Sequence, residues 1–449
     1  MQTAVPLNAG SGVGAKAAER VPIRVVAATV AGNAIEFFDF IAYAYFAVYI
    51  GQTFFPAKTP FMSLLLSVGV FGVGFVFRPL GGVIIGAYAD RAGRKPAMLL
   101  TIVLITAGTM ALALTPSYAS IGLAAPIIVV ICRLVQGLAL GGEVGPASVF
   151  LIEIAPEGKR GLYSSWQLAS QGLAALAASG CGLALSYLLS PADLAAWGWR
   201  IPFVLCLALI PVALFLRRSM PETLQAPVPK AARPAADRPA PANVWAHSGF
   251  IALAVLIIMG ATVSTYAANY MTTYAIATLH LPASTALAAT VIGGVSTFSF
   301  ALVGGWLADR HGRRAVMLLP RLVLTIVTWP LFLLIDLWPG PATLYATTIA
   351  LTGLTAISAT ACFVAIPELL PRTIRATGLA IAYAVGVSLF GGSTQFVITW
   401  LLGATGNPSS PAWYITATSP TGLLSSADSR SAAGFRLIFE LTLPLGRPR

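Results

Sequence analysis

Eleven stretches of about 20 mainly apolar residues recur along this chain, at roughly 26–50, 62–86, 97–115, 121–143, 163–188, 200–216, 246–271, 284–307, 316–335, 342–364 and 377–402. No other feature limits the fold so strongly. A run of that length crosses a bilayer as a helix, because each backbone N–H and C=O is then bonded within the segment, where no water can serve it. The expected fold class is therefore all-α integral membrane. Composition agrees, with 57% hydrophobic and 9% charged residues against roughly 25% charged in a soluble domain. A net charge of +12 would suit nucleic acid, but its placement argues otherwise. Most Lys and Arg fall in the N-terminal tail and in every second loop, whereas the opposite loops hold only Lys58 and Arg200. That asymmetry places the N-terminus in the cytoplasm, and the expected partner is the lipid bilayer, with no nucleic acid.

The chain also repeats itself. "GAYADRAGRK" at Gly86 to Lys95 returns as "GWLADRHGRR" at Gly305 to Arg314, and "EIAPEGKR" at Glu153 returns more weakly as "ELLPRTIR" at Glu368. Two halves running in the same sense follow, and such parallel halves point to alternating access with a site at mid-membrane. The expected organisation is a cytoplasmic tail over 1–22, a bundle of spans 1 to 6 over 23–216, and a Pro- and charge-rich cytoplasmic linker over 217–245. A second bundle over 246–418 holds spans 7 to 11 and a possible start of a twelfth, and 419–449 is an atypical tail. In the repeated loops Gly93 and Gly312 permit sharp turns, and Asp90 and Asp309 can accept hydrogen bonds from a neighbouring helix N-terminus. Arg91, Arg94, Arg310 and Arg313 complete the candidate cytoplasmic gate.

These loops resemble the signature of the major facilitator superfamily, G-x-x-x-D-R-x-G-R-R/K after the second and eighth helices. More narrowly the chain is similar to the metabolite:proton symporter family through "GNAIEFFDF", "RPLGG", "RLVQGLALGGE", "YSSWQ", "WGWRIPF" and "RRSMPET", over about residues 24–418. Within it, the citrate–proton symporter and tricarballylate carrier branch is the nearest likeness. The resemblance implies two six-helix halves in parallel repeat. It also implies a proton-coupled importer of a small carboxylate, citrate or a related tricarboxylate, in a bacterial inner membrane; a monomer without cofactor is expected. Relatives carry 2-oxoglutarate, shikimate, betaine or proline, so the metabolite stays open. One departure is plain: after "AWYITATSPTGLL", Asp428, Arg430, Arg436 and Glu440 interrupt every window long enough to span. The twelfth helix is expected to be missing or altered, and an inactive or sensor-like remnant is the alternative reading.

Glu36 and Asp39 stand in a first span that is otherwise fit for lipid, although a charge at mid-membrane costs about 2.5 to 3.5 kcal/mol on insertion scales. Their i, i+3 spacing puts them on neighbouring parts of one face. At about 1.5 Å per residue, Glu36, Arg78 and Arg133 lie within roughly 6 Å of one level, with Asp39 about one turn deeper. Two acids and two guanidinium groups form a neutral set that a low-dielectric interior tolerates as a paired network. If the pairing changes between states, a proton is taken up and released on opposite sides. Glu36, Asp39, Arg133 and Gln136 are the candidate proton-coupling residues; Arg133, Gln136 and Gly137 match the superfamily's R-x-x-Q-G signature, and the resemblance associates that signature with coupling. Arg78 and Arg133 suit an anionic substrate, and Gln167 and Asn269 are the preferred neutral contacts. The aromatic run Phe37 to Phe46 reads as packing. Cys132, Cys181, Cys206 and Cys362 read as small buried hydrophobes, and His247, His280 and His311 are too scattered for a metal site. No nucleophile and base set and no ATP-binding loop occurs, so no enzyme is expected.

Overall fold

A computed structural model describes residues 23–92, 94–141, 151, 155–218, 248–369 and 381–427. Among them every regular element is a helix. The N-terminal half holds α1 (Ile23–Tyr45, continued after a bend as Ala47–Phe54), α2 (Pro60–Val76, continued as Arg78–Ala92), α3 (Arg94–Leu114), α4 (Ala124–Gly141), α5 (Arg160–Leu188) and α6 (Ile201–Arg218). The C-terminal half holds α7 (Ser248–Ala277), α8 (Ala283–His311), α9 (Arg313–Leu337), α10 (Pro341–Leu369), α11 (Gly392–Thr405, entered through a π-helical turn at Gly386–Gly391) and α12 (Ser410–Ala427). Among the described residues eight helices are long and apolar enough to cross a membrane, or nine if the bent first pair counts as one span. The π turn interrupts a run that the sequence presents as one continuous span.

The surface is inverted relative to a soluble protein. Large apolar side chains such as Val83, Leu114, Leu188, Ile326 and Leu389 are exposed, while Asp39, Arg78, Arg133, Gln136, Gln167 and Arg321 are buried. Lipid is the solvent for the first set, and the second must find partners inside.

Glycines decide which helices touch. Within the N-terminal half α2 and α4 meet backbone to backbone: a Cβ added to Gly137 would lie 1.8 Å from the Gly74 carbonyl oxygen, and one on Gly81 1.8 Å from that of Leu138. Only glycine permits this approach, and it carries Arg78 and Arg133 into one layer. Between the halves, α5 crosses α8 where a Cβ on Gly172 would lie 2.6 Å from the Phe298 amide nitrogen, and α2 crosses α11 where one on Gly72 would lie 2.5 Å from the Gly392 oxygen. Without a hydrophobic drive between helices in lipid, such small-residue seams supply close packing.

The twelfth helix forms in altered guise. α12 is an 18-residue helix that packs on α7 and α9, with Trp413 stacked on Trp329 at 6.3 Å between ring centroids. Residues 428–449, which carry the interrupting charges, lie outside the described residues.

Candidate functional site

Asp39 projects from α1 into the N-terminal half and is 2% exposed. Gln136 Nε2 donates to its Oδ2 at 2.8 Å and to Thr109 Oγ1 at 3.1 Å, while Arg133 Nη1 donates to Gln136 Oε1 at 2.7 Å. Arg133 itself stands 3.8 Å from Asp39 Oδ2. The i, i+3 spacing on α4 aligns Arg133 and Gln136, so one helix presents both the cation and its bridge to the acid. The network is incomplete: Asp39 Oδ1 and the Nε and Nη2 of Arg133 are buried without a hydrogen-bond partner. Groups left so in an apolar interior are costly, which marks them as places where a ligand can bind.

Arg78 is the second cation of this layer, 6% exposed, and its Nε and Nη2 also lack partners. Aromatic faces take the place of an acid among the described residues. Its guanidinium carbon lies 3.9 Å from the Phe75 centroid and 4.8 Å from that of Phe40, and the phenols of Tyr266 and Tyr383, from the other half, stand beside it. Arg133 is similarly placed 4.1 Å over Tyr43. Part of the aromatic run expected only to pack is therefore bound to the two arginines.

A cavity lies between the halves. Phe37, Phe40, Leu168 and Gln171 line it from one side, and Thr265, Tyr266, Asn269, Thr297, Thr352 and Thr355 from the other. It continues beside Cys362 and Tyr383. Among the described residues, none that lines it is charged. Contacts between the halves occur on both sides of it. At the end that carries the repeated loop, Asp309 accepts from the amides of Gly161 at 2.8 Å and Leu162 at 2.9 Å, the first turn of α5, with Arg313 at 3.8 Å. At the other end Gly182 packs on Phe46 and Leu287.

The residues singled out from sequence sort unevenly. Asp39, Arg133 and Gln136 come together, and Arg78 lies in the same layer. Asn269 lines the cavity. Gln167 is occupied instead by Asn33, donating to its Oδ1 at 3.0 Å, and Gln171, one turn on, faces the cavity. Gly312 takes a left-handed φ of 86° at the α8–α9 turn, and Arg310 lies at the exposed end of α8 with its guanidinium 5.4 Å from the Trp306 ring. Gly93 and the side chains of Glu36, Asp90, Arg91 and Arg94 lie outside the described residues, as do Glu143, Glu153, His247 and the side chain of Glu368. The cysteines are free. His280 and His311 are exposed, apart from each other.

One buried cation escaped the sequence reading. Arg321 on α9 donates through Nη1 to the Gly260 carbonyl at 2.7 Å and to Ser264 Oγ at 2.8 Å. A lone arginine inside the ninth apolar run was the available signal. Thr355, 3% exposed with its hydroxyl unpartnered, gave no such signal among many membrane threonines.

Comparison with known proteins agrees with this architecture. The sequence profile described as Major Facilitator Superfamily matches residues 29–395. The citrate-proton symporter of Salmonella typhi is 37% identical over 397 residues, covering 88% of this chain and 91% of the relative. The alpha-ketoglutarate permease of Escherichia coli K12 is 32% identical over 392 residues, covering 86% and 88%. Among solved structures, a D-xylose-proton symporter superposes with a TM-score of 0.72 at 18% identity, over 91% of this chain and 97% of that one; this likeness concerns fold alone.

Proposed function

The chain belongs to the Major Facilitator Superfamily, and on that footing we propose that it imports a small carboxylate, citrate or a related tricarboxylate, together with protons by alternating access in a bacterial inner membrane. The observation that carries this reading is the buried Arg133–Gln136–Asp39 chain, with two donor nitrogens of the cation and one oxygen of the acid unpartnered. A substrate carboxylate pairs bidentately with a guanidinium. When it takes Arg133, Asp39 loses its counter-charge, and a buried carboxyl left alone takes up a proton. Solute and proton then bind together and leave together once the far side opens and Arg133 returns to Asp39. Arg78 receives a second carboxylate, and Gln171 and Asn269 orient the remaining oxygens.

In this reading the end closed by Asp309 faces the cytoplasm, together with the N-terminus. Asp90, Arg91, Gly93, Arg94, Arg310, Gly312 and Arg313 belong to the same gate, and the protein works as a monomer. The kinship with the citrate-proton symporter of Salmonella typhi supports citrate, and that with the alpha-ketoglutarate permease supports a dicarboxylate as the second reading.

The test is uptake into proteoliposomes of labelled citrate, tricarballylate and 2-oxoglutarate, with and without a protonophore. Wild-type protein should accumulate one of them only while the gradient stands. Asp39→Asn should lose accumulation yet keep exchange of internal for external substrate, with Glu36→Gln run beside it. Gradient-driven accumulation by Asp39→Asn at the wild-type level would remove Asp39 from proton coupling.

A further inference from the structure

Phe40 holds a place that no other described side chain shares. Its ring is the only one among the described residues within reach of both Arg78, at 4.8 Å, and Arg133, at 5.5 Å. The same ring lines the cavity. It packs on Phe71 at 4.6 Å and Phe75 at 5.2 Å, and it meets Tyr266 of the opposite half edge-on at 6.1 Å. On one side lies an uncharged cavity wall; on the other lie two arginines that each keep unpartnered N–H groups.

We infer that Phe40 is a specificity gate standing in for the substrate's carboxylates. Its ring lies against both cations while the site is empty, beside Phe75 on Arg78 and Tyr43 on Arg133, and an anion coming from the cavity reaches them by displacing it. The inference rests on the carboxylate-transport reading and adds the rule by which the site chooses among carboxylates. A desolvated cation over an aromatic face is stabilised by the ring's quadrupole. Moving this ring removes an aromatic contact from two cations at once, so a ligand with a single carboxylate makes good one loss and leaves the other cation with one ring fewer, Phe75 staying on Arg78 and Tyr43 on Arg133. A ligand with two or more replaces both contacts with ion pairs. Phe40 thus penalises monocarboxylates and spares polycarboxylates. Asp39 immediately precedes it on α1, so displacement of the ring also disturbs the proton-binding acid.

The experiment compares binding of citrate and of 2-hydroxyisobutyrate, which keeps citrate's hydroxyl and central carboxylate but has methyl groups in place of its two carboxymethyl arms, to purified full-length protein in detergent. In Phe40→Leu the preference for citrate should fall by about tenfold, mainly through tighter binding of the monocarboxylate, and Phe40→Tyr, which keeps the ring, should restore it. Phe40→Met also removes the ring and serves if the leucine variant is not monodisperse on gel filtration. A citrate preference unchanged in both ringless variants, or lost equally in Phe40→Tyr, overturns the gate. Wild-type protein that binds neither compound would instead overturn the citrate reading on which the gate rests.

Discussion

At the scale of single residues, Gln136 makes one unit of Arg133 and Asp39, whose charged atoms stand 3.8 Å apart. Its amide accepts from the cation and donates to the acid. Gln136→Leu should leave two buried charged groups short of partners, at a cost of about 1 to 3 kcal/mol each. Thermal unfolding in detergent should show the loss; a variant as stable as wild type would mean that water already serves these atoms. The alignment of Arg133 with Gln136 was legible from their spacing alone, since three residues along a helix return to nearly the same face. Which acid meets Arg133 was not, because depth along an axis says nothing of rotation about it.

At the scale of elements, the glycine seams set how near helices come and therefore which side chains meet. Gly172→Leu would drive a side chain into the backbone of α8, where even a Cβ comes within 2.6 Å. Overpacking of this kind costs about 1 to 3 kcal/mol, and uptake should fall with it. Gly180 on the same helix has open space around its missing Cβ, so Gly180→Leu should leave both melting temperature and uptake near wild type. Equal damage from both would point to helix α5 itself and not to its crossing with α8. The apolar runs announced these helices, whereas the π turn of α11 and the bend after Tyr45 left no periodicity to read. α12 shows the same limit: charges further along argued against it, yet Ser410–Ala427 forms a helix against α7 and α9.

At the scale of the whole molecule, transport requires the halves to part at one end while they close at the other. A Cβ on Gly305 would lie 2.7 Å from that of Ser165 and 2.6 Å from the Gly161 carbonyl oxygen across the end held by Asp309, roughly 1 Å inside the separation of about 3.8 Å that a disulfide prefers, so Gly305→Cys fits only after a small shift of the two helices. Reduced Ser165→Cys/Gly305→Cys should already take up substrate more slowly than wild type because of that crowding, and oxidation should abolish the remainder until the pair is reduced again. The native thiols are free and mostly buried, so background cross-linking is small. Full uptake after complete cross-linking would show that this end need not open.

Sequence by itself determined the membrane class, the duplicated halves, the loop that latches them and the need for buried acids to find cations, because hydropathy, repetition and charge cost are properties of the chain read in order. Tertiary structure alone decided that Asp39 meets Arg133 through Gln136, that Gln171 and not Gln167 faces the cavity, and that the Phe40 ring lies near both Arg78 and Arg133. Those outcomes depend on how far each helix is turned about its own axis, and that angle is set by backbone contact between glycines on different helices.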